Sequence, residues 1–223
     1  MRKGQDSFRD RHQAGRQLAA ALAHLRDANP LILALPRGGV PVAFEVAKSL
    51  AAPLDLLLVR KIGAPGHEEL GIGAVVDGPN PQVVLNPEII EMVAPPPDYI
   101  AAEQKRQLAE IERRRLLYRG EQPAADTRGR TVIVVDDGIA TGGTVKAALR
   151  GVRLNRPRRL VLAVPVAPRD SLDEIARECD EVVCLLTPDP FYAVGAHYAD
   201  FAQTTDAEVI RLLKQAQQQM SHS

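Results

Sequence analysis

The stretch "VIVVDDGIATGGT", at positions 132–144, contains the pattern that decides the fold. Four apolar residues lead into Asp136 and Asp137, and a short turn then ends in a glycine pair flanked by threonines. An apolar run of this length is typical of a strand buried on both faces. The residues after the glycines favour a helix beginning near Thr144. The stretch therefore predicts a strand, a loop and a helix, with two carboxylates at the strand end.

Four further apolar runs alternate with helical segments, at 31–35, 54–60, 159–166 and 181–188. Buried strands that alternate with helices predict βαβ units, right-handed crossovers and a parallel sheet. We therefore predict an α/β fold: an open, mostly parallel five-stranded sheet flanked by helices. Ligands of such sheets bind at the carboxyl ends of the strands, so the loops after Leu35 and Asp137 are the first candidates for a site.

Helix caps and turns divide the rest of the chain. Ser7 is the expected N-cap of a helix over 8–27, and Thr205 with Glu208 forms a capping box for the last helix. Asn86-Pro87 is a good helix start, and a long helix should close at Gly120. In that helix the arginines at 113–115 are interpreted as part of a solvated face.

A flexible insertion is predicted after the second strand. Residues 61–71 are polar and rich in glycine, which indicates a mobile loop, and residues 71–86 predict two short strands around a turn. We expect a single domain over 1–223, with its core at about 30–186 and a small hood with the C-terminal helix at about 187–223.

The composition excludes several classes of protein. The 28 basic and 28 acidic residues cancel, so no global field favours nucleic acid or a membrane surface. No apolar run reaches about 18 residues, and the N-terminus lacks the apolar segment of a secretory signal. Cys179 and Cys184 are spaced too far apart for a CxxC site and are interpreted as small hydrophobic residues. A cytoplasmic protein with neither a nucleic-acid nor a membrane partner is expected.

The loop at 141–144 has the properties of a phosphate site. Backbone N–H groups at a helix start carry the positive end of the helix dipole, and glycines let an anion approach closely. The alternative is a tight strand-to-helix turn in which a threonine is only a cap. No Walker loop or dinucleotide-binding fingerprint is found in the sequence.

Two acids beside a phosphate site need a further explanation. Carboxylates accept hydrogen bonds from ribose hydroxyls and are suitable ligands for Mg²⁺, although Asp136 and Asp137 could also be solvated acids at a strand end. "PRGG" at 36–39 adds Arg37 at a neighbouring strand end, where it could form a second anion site. Together these features favour a sugar that carries phosphates at both ends.

These motifs resemble those of the type I phosphoribosyltransferase family. "VIVVDDGIATGGT" is similar to the family's signature for 5-phosphoribosyl 1-diphosphate (PRPP), and "LPRGGV" at 35–40 is similar to its pyrophosphate loop. The resemblance covers the chain from about Leu31 to Pro188. Two further stretches, "VRKIGAPGHEELGIGAV" and "PFYAVGAHYADF", resemble one bacterial branch of the family more specifically.

The resemblance implies a set of roles. Asp136 and Asp137 would hold the ribose hydroxyls, directly or through Mg²⁺ and water. Arg37 and Gly38 would contact the pyrophosphate, with a non-proline cis peptide after Pro36 or Arg37. The residues that would hold the 5′-phosphate are Ala140, Thr141, Gly142, Gly143 and Thr144. The expected cofactor is Mg²⁺, the expected partners are PRPP and a small nitrogenous acceptor, and a homodimer is expected.

The lid and the hood are also expected from the resemblance. The loop 61–71 would close over the site, with Lys61 as a pyrophosphate contact, whereas His67 is interpreted as an exposed loop histidine. In the hood, Phe191 and Tyr192 are the candidates for base binding. With His197 and Tyr198 they could stack on a flat base, or they could form a small satellite core under a loop.

The acceptor stays open. Ala140 stands where the family's 6-oxopurine enzymes have an acid, which disfavours hypoxanthine and guanine but does not establish adenine. Adenine, xanthine, uracil, an unusual base and a simple amine all remain candidates, and Asp189 or Asp200 could accept a hydrogen bond from the nucleophile. The main hypothesis is transfer of the 5-phosphoribosyl group to a nitrogen with release of pyrophosphate. The alternatives are a PRPP-binding or nucleotide-binding regulator without turnover, and, less favoured, a phosphate-hydrolysing α/β protein.

Overall fold

A computed structural model describes residues 7–221, apart from the side chain of Glu69. The strands are β1 (Pro30–Ala34), β2 (Leu54–Leu56), β3 (Val59–Ala64), β4 (His67–Val76), β5 (Gln82–Leu85), β6 (Thr131–Val135), β7 (Arg159–Val166) and β8 (Glu181–Leu186). The α-helices are α1 (Arg11–Ala21), α2 (Gly39–Leu50), α3 (Pro87–Val93), α4 (Tyr99–Arg119), α5 (Gly143–Leu154), α6 (Arg169–Ile175) and α7 (Asp206–Met220). Short 3₁₀ helices lie at Ala23–Leu25 and Val194–His197.

The larger sheet has five parallel strands in the order β2-β1-β6-β7-β8. This confirms the predicted α/β class. In its register, Ala34 of β1 pairs with Val135 of β6, and Val135 pairs with Ala163 of β7. The ends of β1 and β6 are therefore level, so the loops that follow these two strands begin side by side.

The core lies on both faces of this sheet, which explains why its strands are continuously apolar. Side chains of successive strand residues point to opposite faces. Ile32 and Ile133 pack with α1, α2 and α7 on one face, whereas Leu31 and Val132 pack with α5 and α6 on the other. Every residue of β1 and β6 is buried.

The predicted strand over 54–60 is wrong as a single element. It divides into β2 in the parallel sheet and β3 in a second, antiparallel sheet of order β3-β4-β5. Leu57 and Leu58 connect the two and are both buried. The Leu57 amide donates to the Ala34 carbonyl, whereas the Leu58 carbonyl accepts from the amide of Asp77, directly after β4 of the second sheet. Because the apolar side chains stay buried through the crossing, the sequence pattern showed no sign of the break.

The predicted mobile loop over 61–71 is also wrong, since these residues form the β3–β4 hairpin. Its base is anchored: Ile62 and Ile72 are fully buried, and the Tyr99 hydroxyl of α4 donates to the Gly63 carbonyl at 3.0 Å. Gly66 forms the turn with a φ of 72°, a conformation that glycine adopts without strain. The two short strands predicted from 71–86 are confirmed as the end of β4 and β5.

The helix starts are confirmed except at the N-terminus. The N-cap of α1 is Asp10, whose carboxylate accepts from the Gln13 amide, and the helix ends at Ala21, short of the predicted residue 27. Residues 7–9 instead run beside the hood, where the Phe8 amide donates to His197. Asn86 caps α3 and Thr205 caps α7, as predicted. Within residues 7–221, no helix has the length and apolar character needed to cross a membrane.

Candidate functional site

The two loops singled out in the sequence meet at the ends of β1 and β6. A methyl group added to Gly38 would lie 2.0 Å from the Asp137 Oδ2 atom. One added to Gly39 would lie 2.7 Å from the Val135 carbonyl oxygen. The loop at 36–39 therefore packs its backbone directly against the acidic pair, and only glycines permit this approach. The peptide between Pro36 and Arg37 is cis, the first of the two expected positions.

The two acids form a partly buried pair. The Asp137 amide donates to Asp136 Oδ1 at 2.8 Å. Burial raises the pKa of Asp136 well above its usual range, and the neighbouring Asp137 carboxylate raises it further. Two carboxylates this close together stabilise a cation or hydrogen-bond donors placed between them.

A third charged residue, Arg11, contacts the acidic pair and was not predicted from the sequence. Arg11 of α1 donates from Nε to Asp137 Oδ2 at 2.8 Å and from Nη1 to the Ala202 carbonyl at 2.7 Å. The Tyr198 hydroxyl donates to the Asp137 carbonyl at 2.5 Å. Both residues lie far from Asp137 along the chain, so no local pattern could have found them.

The loop at 140–144 leads into α5 with an open helix start. Gly142 has a φ of 75°, and no side chain caps the helix or places an acid in its first turn. Thr141, Gly143 and Thr144 are exposed, and a methyl group added to Gly143 would meet no atom within 4 Å. The Ala140 carbonyl accepts from Ser171 Oγ at 2.7 Å. Free helix amides with space in front of them suit an anion.

Of the two basic candidates, Arg37 contacts α7 and Lys61 lies on β3. The Arg37 side chain reaches Asp206 at the start of α7, at 3.5 Å, and the Tyr118 hydroxyl donates to the same carboxylate at 2.6 Å. Burial and then Asp206 raise the pKa of Tyr118 to about 12. Lys61 is exposed on β3, and its side chain passes over Gly71 of β4.

The hood packs against Phe8, which lies far from it along the chain. The Phe8 ring lies 5.4 Å from the Tyr198 ring, and Tyr198 lies 5.0 Å from Phe201. Tyr198 is buried in this small satellite core, which was one of the two interpretations of the aromatic cluster. Phe191 stacks on His197 at 5.7 Å, whereas Tyr192 is 82% exposed.

Two peripheral predictions are consistent with the structure. Arg113 and Arg114 pair with Glu110, and Arg115 pairs with Glu112, as expected for a solvated helix face. Cys179 and Cys184 are free thiols. Burial raises the pKa of both, which disfavours the reactive thiolate.

The acidic pair fits a magnesium ion that takes its other ligands from a substrate. Among the side chains that the structure describes, no group of three or more His, Cys, Asp or Glu could hold a metal. Mg²⁺ is commonly bound by one or two carboxylates together with substrate phosphates and water. Asp136 Oδ1 and Asp137 Oδ2 are engaged in the contacts above, and the remaining oxygen of each carboxylate is the candidate ligand.

The fold and these loops define an α/β protein with a polar site at the carboxyl ends of its parallel strands. Residues 4–200 match the family described as "Phosphoribosyl transferase domain". In two strains of Mycobacterium tuberculosis, a protein named "Putative phosphoribosyl transferase" is 47% identical over 209 residues. These matches cover 94% of this chain and 47% of the relatives, so the chain spans about half their length.

A solved structure shares this architecture. The crystal structure of TT1426 from Thermus thermophilus is 44% identical, with a TM-score of 0.83. The match covers 94% of this chain and 98% of that one. The chain therefore belongs to the phosphoribosyl transferase domain family.

Proposed function

We propose that the protein binds PRPP with Mg²⁺ and transfers the 5-phosphoribosyl group to a nitrogenous, nucleobase-like acceptor, releasing pyrophosphate. The observation that carries the proposal is the contact between the two loops, in which Gly38 lies against the Asp137 carboxylate. A ligand that spans both loops must present an anion to each and hydroxyls or a metal to the acids between them. A ribose with phosphates at both ends meets these requirements.

The 5′-phosphate is assigned to the start of α5. The amides of Gly143 and Thr144 and the two threonine hydroxyls would donate to its oxygens. The absence of a cap or acid in the described first turn of α5 supports this assignment, because these donors have no competing partner there. The buried Gly142 adopts the left-handed conformation directly before these donors.

The ribose hydroxyls are assigned to Asp136 and Asp137. Each carboxylate would accept from a hydroxyl, directly or through Mg²⁺ and water. When bound, Mg²⁺ neutralises negative charge that develops on the departing pyrophosphate. The acids also lie where positive charge develops on the sugar ring, which they stabilise by charge attraction.

The reaction exchanges one bond at the anomeric carbon for another. The bond to the pyrophosphate oxygen breaks with its electron pair, the acceptor nitrogen supplies a new pair, and the nitrogen then loses a proton. Arg37 and the Gly38 amide would donate to the pyrophosphate, with Lys61 from the hairpin. Arg37 must exchange its contact with Asp206 for the ligand, and the 3.5 Å separation shows that this contact is weak.

Water must be excluded, because it would otherwise hydrolyse PRPP. The β3–β4 hairpin and the hood are the candidate covers. Phe191 and the exposed Tyr192 are proposed to contact the nitrogenous, nucleobase-like acceptor. We place the reaction in cytoplasmic nucleotide metabolism and expect a homodimer, in both cases by resemblance to the family.

The test is a pyrophosphate-release assay with PRPP, Mg²⁺ and a panel of adenine, xanthine and uracil. Wild type should release pyrophosphate with at least one acceptor. Arg37→Ala should lose most turnover while keeping its affinity for a nucleoside 5′-monophosphate, and Arg113→Ala, a surface arginine of α4, should behave as wild type. Equal turnover by Arg37→Ala would refute the role of Arg37. A regulator that binds without turnover would show PRPP binding but no release with any acceptor.

A further inference from the structure

Arg11 is the side chain that joins the N-terminal helix to the acidic pair. Its Nε donates to Asp137 Oδ2 at 2.8 Å, and its side chain is only 11% exposed. Charge-assisted hydrogen bonds of this kind are stronger and more directional than neutral ones. The contact is therefore a built feature of the site and not a surface ion pair.

The guanidinium is fixed by the hood as well as by the acid. It lies 3.9 Å above the centre of the Phe201 ring, and Nη1 donates to the Ala202 carbonyl at 2.7 Å. A planar guanidinium can stack and donate at the same time, which lysine cannot do. The Arg11 guanidinium is therefore held by three contacts, with Asp137, Phe201 and Ala202.

Hydrogen bonds also fix the backbone on either side of Arg11. Asp10 caps α1 by accepting from the Gln13 amide at 2.7 Å. The Phe8 amide donates to His197, and the Ala199 amide donates to Phe8, both at 2.8 Å. The hood and the start of α1 therefore form one unit, in which Arg11 contacts the Asp137 carboxylate and Tyr198 contacts the Asp137 carbonyl.

We propose that Arg11 is a positioning residue that fixes the Asp137 carboxylate for binding the ribose of PRPP. The inference rests on the proposed function. By holding Oδ2, Arg11 turns the other carboxylate oxygen toward the ligand and offsets the repulsion between Asp136 and Asp137. It would not contact the 5′-phosphate, whose assigned donors are at the start of α5.

The experiment compares wild type with Arg11→Gln, Arg11→Lys and the matched control Arg16→Gln. Arg16 lies on the same helix, 50% exposed, and pairs with Glu45 away from the acids. Affinity for PRPP with Mg²⁺ is measured by calorimetry. Inorganic phosphate, which has no ribose, is titrated separately while the amide NMR signals of residues 141–144 are followed.

Arg11→Gln should weaken binding of PRPP with Mg²⁺ by about tenfold, the effect of losing one charge-assisted hydrogen bond. It should leave the affinity for inorganic phosphate unchanged. Arg11→Lys should recover part of the lost affinity, and Arg16→Gln should match wild type. A further variant, Phe201→Leu, removes the ring that the Arg11 guanidinium stacks on, and should also weaken PRPP binding without affecting phosphate binding.

Three results would overturn the inference. If Arg11→Gln binds PRPP as wild type does, or more tightly, Arg11 does not position the acid. If PRPP and phosphate affinities fall together, Arg11 supports the fold in general. Both results leave the proposed function intact, because wild type still binds PRPP. If folded wild type does not bind PRPP, the proposed function fails, and this inference fails with it.

Discussion

Gly38 and Gly143 are both assigned to the ligand site, but the space around them differs. A methyl group on Gly38 would collide with the Asp137 carboxylate at 2.0 Å. One on Gly143 would meet no atom of the protein within 4 Å. The first glycine is thus needed for the protein's own packing, whereas the second leaves open the space that we assign to the phosphate.

Substitution by alanine should separate these two roles. Gly143→Ala should leave the thermal unfolding midpoint nearly unchanged, because alanine is favourable in a helix, yet weaken binding of PRPP and of inorganic phosphate. Gly38→Ala should lower both the unfolding midpoint and the affinity for PRPP. Calorimetry and thermal denaturation check both variants. Unchanged phosphate binding by Gly143→Ala would argue against the assigned position of the 5′-phosphate.

The cysteines provide a pH prediction at the same scale. Burial raises the pKa of the Cys184 thiol to about 11 and also raises that of Cys179. Below its pKa a thiol is protonated, and only the thiolate reacts with iodoacetamide. In the folded protein at pH 8, both thiols should therefore be alkylated much more slowly than free cysteine, and denaturant should restore the ordinary rate. Fast labelling of the folded protein would contradict the assigned environments.

At the scale of elements, Arg119 joins three parts of the fold. It lies at the end of α4, is 5% exposed, and pairs with Asp55 of β2 at 2.6 Å and with Asp77 after β4 at 2.7 Å. It also donates to the Leu56 carbonyl. A single guanidinium therefore neutralises two acids where the parallel sheet meets the antiparallel one.

Removing this charge should be costly. Arg119→Met should lower the free energy of unfolding by about 3–5 kcal/mol, because it leaves Asp55 and the buried Asp77 without their counter-ion. The control Arg113→Met, on the same helix, removes a surface ion pair whose arginine is 64% exposed, and should change stability little. Urea denaturation of both variants measures the difference. Equal stability of the two would refute the role of Arg119 as a structural link.

Some elements of the fold could be predicted from the sequence, and others could not. The parallel sheet and the helix caps at Asn86 and Thr205 follow local patterns, and these predictions are confirmed. The division of 54–60 and the hairpin over 61–71 could not be predicted. In the first case the apolar run continues through the crossing. In the second, glycine-rich composition indicated mobility, but contacts from α4 and two buried isoleucines, at 62 and 72, order the strands.

At the scale of the whole molecule, the site also has residues that local sequence motifs predict and residues that they do not. The acids are followed directly by the loop at 140–144, and the loop at 36–39 is a short motif of its own, so both could be identified in the sequence. Arg11 precedes Asp137 by 126 residues, and Tyr198 follows it by 61. These contacts exist only because residues 8–11 pack against the hood, which no local motif encodes. The single-domain organisation over 1–223 stays a prediction, and residues 1–6 and 222–223 lie outside the described part of the chain.

The central claim is that the acidic pair and the glycine loops form one site for PRPP. The most direct measurement is calorimetry of PRPP with Mg²⁺, comparing wild type with Asp137→Asn, with thermal unfolding of both as the control for folding. We predict tight, Mg²⁺-dependent binding by wild type and a large loss of affinity in the variant. Unchanged binding by Asp137→Asn would show that the acids are misassigned, and no binding by folded wild type would contradict the account as a whole.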